Sequence, residues 1–239
     1  MEKLVYALWP RPDEPSAGWA ERLRGEVAEQ LTAAGARGVQ VNVSDDAVAT
    51  AMLRITTFDV PISAVVSVWV DTVAGPVRPA LEQLLAEVSG RIAGYLVTES
   101  VPMAPQWEPG ARGYGFTNVA FLRRPAELDP ATWLDRWQNH HTTVAIETQE
   151  THGYVQNVVV RALTPDAPVV DGIVEEVFRP EALQDVHAFY GSGGDDAELA
   201  RRLQAMAASV DTFGAAQGID VVPTSRYVLT SPTPCPTLS

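Results

Sequence analysis

Apolar and polar positions change period repeatedly along this chain, and each change marks a predicted element. KLVYALWP is a short apolar run with aromatic and β-branched residues, ended by Pro10, and reads as a strand. The period then lengthens. Trp19, Leu23, Val27 and Leu31 stand four apart with Arg and Glu on the other faces, which predicts an amphipathic helix stopped at Gly35 or Gly38. VQVNVSD alternates as a strand, and PISAVVSVWVD is a second, Val-rich one. VRPALEQLLAEVSGRI places Leu81, Leu84, Leu85 and Val88 on one side of a helix, and GYLVTESVPM closes the half as a strand. The order is β-α-β-β-α-β.

A stretch rich in Pro and Gly, APQWEPGARG, separates this half from a second pass. GFTNVAFLRRP reads as a strand and DPATWLDRWQNHHTTVAIET as a helix, with Asp129 as N-cap and Pro130 at its first position. GYVQNVVVRAL and GIVEEVFRP are strands, the helical material from 180 to 211 is split by GSGGDD, and VVPTSRYVLT is the last strand. The same order has occurred twice. Faint echoes accompany it: GVQVNV resembles YVQNV, Pro61 and Pro168 each precede an apolar strand, and Trp19 and Trp133 each sit early in a first helix. Duplication is the better reading.

One βαββαβ unit makes a four-stranded antiparallel sheet with both helices on one face and leaves the other face bare. Two units cover each other. The expected fold is therefore α+β: two tandem ferredoxin-like units packed sheet to sheet within one chain, as a dimeric α+β barrel does between chains. The expected boundaries are 1–104, a linker at 105–113, 114–230 and a Pro-rich tail at 231–239. The space between the sheets is the expected place for an apolar pocket.

A net charge of −13 with no basic run argues against nucleic acid or an anionic membrane surface as partner. The lone cysteine, Cys235, excludes an intrachain disulfide and a cysteine metal cage. No signal-peptide pattern and no run of transmembrane length is present, so a soluble cytoplasmic protein is expected.

The densest chemistry lies in WLDRWQNHHTTVAIETQETHGYVQN, which holds three of the four histidines. At about 100° per residue, Trp133, Trp137 and Val144 define one stripe, and His140 and His141 fall on its two flanks. Both are then partly buried, either as packing residues satisfied by a hydrogen bond or as groups that titrate near neutrality. A metal site is disfavoured, because adjacent histidines diverge and zinc needs three or four convergent ligands. Tyr154 and Asn157 are three apart and point to opposite strand faces, with Gln156 sharing the face of Tyr154. Glu175 and Glu176 split likewise; an inward one is placed to orient His141 or to have a raised pKa, and an edge carboxylate is the plainer alternative. Arg123 and Arg124 also split, with strand-end salt bridges as their plain reading. GSGGDD lacks a P-loop arrangement and reads as a flexible break that can cover a pocket mouth.

The run from Phe121 to Asn157 resembles the EthD-like family of dimeric α+β barrel proteins. The matching positions are Arg123, Arg124, Pro125, Leu128, Trp133, Trp137, His141 four residues after Trp137, Tyr154, Gln156 and Asn157, with an Asp-x-x-Phe-like segment near Asp211 to Phe213. The resemblance covers about 114 to 230; the first half fits as a diverged copy with no histidine. It selects His141 over His140. It implies a protein that binds a small apolar carbonyl, phenolic or ether-derived metabolite between its sheets, with cofactor-free acid–base catalysis of cyclase, isomerase or monooxygenase type. His141 and Tyr154 would be catalytic, and Trp137, Gln156, Asn157, Arg123 and Glu175 would line the substrate. The alternatives are a non-catalytic carrier or accessory protein for a partner oxidase, and a haem protein using His141 or His140. No metal or other cofactor is expected, and the chain is either a monomer with pseudo-twofold symmetry or a homodimer.

Overall fold

The computed structural model describes residues 1–232, so that Cys235 and the rest of the tail lie outside the described residues. Its strands are β1 (Glu2–Trp9), β2 (Gly38–Val43), β3 (Ala64–Val70), β4 (Arg91–Met103), β5 (Phe116–Leu122), β6 (Thr151–Ala162), β7 (Gly172–Phe178) and β8 (Ile219–Thr230). They close an antiparallel barrel in the order β1-β3-β2-β8-β5-β7-β6-β4. Two ladders join the halves: Val39 to Val43 of β2 along β8, and Tyr95 to Met103 of β4 along β6. Closure leaves neither sheet an open edge, which removes a row of unpaired backbone groups from each.

The helices lie outside the barrel. In the first half α1 (Ser16–Arg22) and α2 (Ala28–Ala33) are joined by a π-helical stretch, Leu23–Val27, and α3 (Val77–Val88) follows later. In the second half α4 (Pro130–Leu134) and α5 (Thr142–Thr148) are joined by a second π-helical stretch, Asp135–His141. Asp129 caps α4 as expected, accepting from the N–H groups of Ala131 and Thr132 at 3.0 Å each. GSGGDD separates α6 (Val186–Tyr190) from α7 (Asp196–Thr212). Gly191 ends α6 at a φ of 60°, a left-handed conformation suited to glycine.

Strand alternation divides the core into layers. Val5, Ala7, Tyr95, Val119, Phe121, Ile173 and Val222 fill the barrel. Leu4, Tyr6, Val41, Val66 and Val68 face outward against Trp19, Leu23, Leu81 and Leu85 of the first-half helices. Ala120, Leu122, Tyr154, Val174 and Val221 face outward against Trp133, Trp137 and Phe213 of the second half. The Pro/Gly stretch between the halves is not slack: Gly110 and Gly113 donate to the carbonyls of Val228 and Arg226 at 2.8 and 2.7 Å. That pins it along β8, beside one mouth of the barrel.

Candidate functional site

The two adjacent histidines have different surroundings, and the π-helical stretch is the reason. The N–H of Thr142 bonds to the carbonyl of Trp137, five residues back. That wider turn keeps Trp133, Trp137 and His141 on one inward line and rotates His140 away. His141 is 8% exposed, whereas the side chain of His140 is 71% exposed and lies 3.4 Å from Asp135. A wheel of uniform pitch puts both on the flanks because it lacks the widened turn. His141 sets Nδ1 3.0 Å from the Ser209 hydroxyl and its ring 4.6 Å from that of Phe213. Burial pulls its pKa from 6.5 down to about 4, so near neutral pH its ring is uncharged.

Beneath these helices a row of polar side chains crosses the outer face of the second-half sheet. Tyr154 on β6 is in register with Glu176 on β7, and Glu176 with Asn118 on β5. Tyr154 and Asn118 are each 1% exposed, and neither polar atom of the Asn118 amide has a hydrogen-bond partner among the described residues. Glu176 is half-buried and has no salt bridge among the described residues; burial pushes its carboxyl up to about 7. The phenols of Tyr154 and Tyr190 are raised by burial first and then by the charge of Glu176, which places both beside it. Gln156 donates to the Thr142 hydroxyl, which in turn donates to the Trp137 carbonyl at 3.1 Å. Trp137 packs 5.0 Å from Trp133 over Gly172, where a Cβ would come within 2.6 Å of its ring. Near neutrality the row offers a carboxyl that titrates between a phenol and an amide, a combination able to move a proton and bind an oxyanion.

Other expected site residues lie elsewhere. Asn157 and Glu175 point into the barrel, on the opposite side of the sheet from Tyr154 and His141. Asn157 is fully buried and donates to the Ile173 carbonyl at 3.2 Å. Glu175 accepts from Lys3 Nζ at 3.2 Å and from Gln40 at 2.6 Å. Burial works to raise its pKa, but Lys3, Arg226 and these hydrogen bonds outweigh it and hold the carboxyl below its ordinary range. It does not orient His141. Arg123 takes its plain alternative: at the end of β5 it meets Asp220 at 2.6 Å and the Thr57 hydroxyl at 2.7 Å, closing the far end of the barrel. The expected site residues do not share one pocket between the sheets. His141, Tyr154, Trp137 and Gln156 lie between sheet and helices, Asn157 and Glu175 lie inside the barrel, and Arg123 stands at its closed end.

The remaining histidines pair locally. His152 accepts from Arg179 at 2.7 Å, and His187 lies 2.7 Å from Ser192. Among the described residues no group of three or more His, Cys, Asp or Glu could hold a metal, and no helix is long and apolar enough to cross a membrane.

Sequence reasoning passed over Asn118, Lys3, Gln40 and Arg226, and chose Glu175 rather than Glu176 for the site. One signal was available: each interrupts a strand whose neighbours are mainly apolar. A polar residue within such a run faces either the barrel or the helices, and both are dry.

Residues 125–205 match the family model described as "EthD domain". Three solved structures share the fold across nearly the whole chain, each at 11% identity. One is described as an "anthrone oxidase-like protein", with a TM-score of 0.56 over 99% of this chain and 96% of that one. A "putative monooxygenase" from Lactobacillus acidophilus NCFM gives 0.50 over 96% of each chain. Another so described, from Fusobacterium nucleatum, gives 0.51 over 96% of this chain and 92% of its own. A comparison with curated proteins gives no match.

Proposed function

We propose that this protein binds a small, mainly apolar carbonyl or phenolic metabolite between the second-half sheet and its helices, and moves a proton on it without a cofactor. One observation carries the reading: the Glu176 carboxyl, which burial pushes up to about 7, stands in register with Tyr154 and Asn118. As carboxylate, Glu176 takes a proton from the carbon beside a carbonyl, or from a phenol. The C–H or O–H electron pair moves onto the substrate oxygen, where the Asn118 amide donates, with Tyr154 as second donor. Return of the proton at another carbon is an isomerisation, and attack of the enolate on a second carbonyl of the same molecule is a cyclisation. A monooxygenase outcome adds dioxygen as co-substrate: the enolate or phenolate carbon is oxidised to a carbonyl with one oxygen atom, and the other leaves as water with two substrate hydrogens. His141 serves here as a neutral wall that positions the helix against α7, and a carrier role for a partner oxidase is the reading left if no proton moves.

The two-unit organisation belongs to the same proposal. Residues 1–104 and 114–230 are read as ferredoxin-like units, the strand orders β4-β1-β3-β2 and β8-β5-β7-β6 and the paired π-helical stretches supporting it. A cytoplasmic monomer with pseudo-twofold symmetry is the proposed state.

Deuterium incorporation from heavy water into cyclic ketones and phenols, anthrone included, tests the function by NMR. Exchange faster than buffer, lost in Glu176→Gln, is expected. Exchange no faster than buffer for every compound would overturn catalysis and leave the carrier.

A further inference from the structure

The mouth of the barrel beside the Pro/Gly stretch opens on a cavity of about 640 Å³, within the range of small-molecule sites. Its floor is a charged network drawn from five strands. Lys3 Nζ donates to Glu99 at 2.7 Å and to Glu175 at 3.2 Å, and stands 4.8 Å from the Trp69 ring. Gln40 donates to Glu175 at 2.6 Å and accepts from Arg226 Nε at 2.9 Å. Lys3, Gln40, Glu175 and Arg226 are each less than 10% exposed, so the network is built into the fold.

One group in it is left open. Among the described residues, the Arg226 guanidinium donates through Nε alone, to Gln40. Its nearest carboxylate, Glu175, stands 4.0 Å from Nε and is already bonded to Lys3 and Gln40. A buried guanidinium with a free fork is a strong acceptor-seeking group, and a carboxylate matches it with two parallel hydrogen bonds. The walls are largely apolar, with Trp69, Val97, Val155 and Val228 among them, and suit a flat ring system.

We propose that this cavity is a second ligand site, for an aromatic carboxylic acid, with Arg226 clamping the carboxylate and the rings lying along the apolar wall. It is separate from the helix-layer reading, since the sheet itself divides the two sites, and it stands if that reading fails. Lys3 remains matched to Glu175 and Glu99, so the incoming charge is met by Arg226 alone.

Titration calorimetry with 1-naphthoate and with its uncharged methyl ester tests this on the full chain. The acid is expected to bind the wild type at least about tenfold more tightly than the ester, the scale of a charge-assisted hydrogen bond. Arg226→Gln is expected to remove that preference, and Arg226→Lys to restore part of it. The acid–ester comparison in the wild type needs no variant, so it decides the matter even if Arg226→Gln fails to fold. Glu176→Gln is expected to leave 1-naphthoate affinity within about twofold, below the scale of one lost hydrogen bond. Equal affinity for acid and ester, no binding of either at millimolar concentration, or an affinity lost with Glu176→Gln would each overturn the proposal.

Discussion

The two helix-facing sheet surfaces of this molecule have the same architecture and different chemistry. In the first half that surface presents Leu4, Leu8, Val39, Val41, Val66 and Val68, with Tyr6 directing its phenol to Glu82 of α3 at 3.3 Å. Trp19 above it donates to the Val88 carbonyl at 2.6 Å. In the second half the corresponding surface holds Asn118, Glu176, Tyr154 and Gln156, and the Asn118 amide and the Trp133 indole nitrogen have no partner among the described residues. Burying polar groups without partners costs about 1–3 kcal/mol each, while apolar burial stabilises. A layer that serves only to hold the fold has no use for the second arrangement, which is why that half is assigned the chemistry.

The largest effect expected is on that contrast itself. Glu176→Gln should lower the proton-exchange rate at least about 100-fold, the lower end of what a positioned acid or base contributes. An unchanged rate in a folded variant would remove the chemical difference between the halves.

The pH dependence of stability should next show two buried groups of the second half pulling in opposite directions. The folded pKa of Glu176 is raised to about 7, so the folded state binds the extra proton between roughly 4.5 and 7 and loses stability as pH rises through that window. His141 runs the other way. Its folded pKa is lowered to about 4, so stability is lost as pH falls from 6.5 toward 4. Each shift is worth at most about 3 kcal/mol. Denaturant midpoints against pH should show Glu176→Gln gaining on the wild type as pH rises from 4.5 to 8, and His141→Gln gaining as pH falls from 6.5 to 4. Parallel curves would contradict the burial assigned to either group.

Gly172→Ala should cost about 1–3 kcal/mol, because the added methyl overpacks the Trp137 ring. Thermal unfolding reads it, and a neutral result would mean that the tryptophan pair moves freely. The smallest effect is a difference between equivalent changes. Trp19→Phe loses a hydrogen bond and Trp133→Phe loses none seen among the described residues, so the first should be more destabilising by about 1 kcal/mol. Equal losses would place an unseen partner on Trp133.

The strands, helices and their order were legible because each depends on local period: alternation for strands, four-residue spacing for helices, and Asp129-Pro130 as a start. Alternation also foretold that Tyr154 and Asn157, and Glu175 and Glu176, would part company. It could not tell which face would be dry, since the closed barrel buries both. Glu175 found Lys3 and Gln40 there, 172 and 135 residues away in the chain. Glu176 found no counter-charge among the described residues.

By itself, then, the sequence determined the α+β class, the repeated order of elements and the histidine-bearing helix, all products of short-range pattern. Tertiary structure decided the rest. A π-helical turn chose His141 over His140, and barrel closure separated the predicted residues into two compartments and left Arg226 facing a cavity. Those outcomes depend on contacts between residues far apart in the chain, where desolvation and charge act through space and no local period records them.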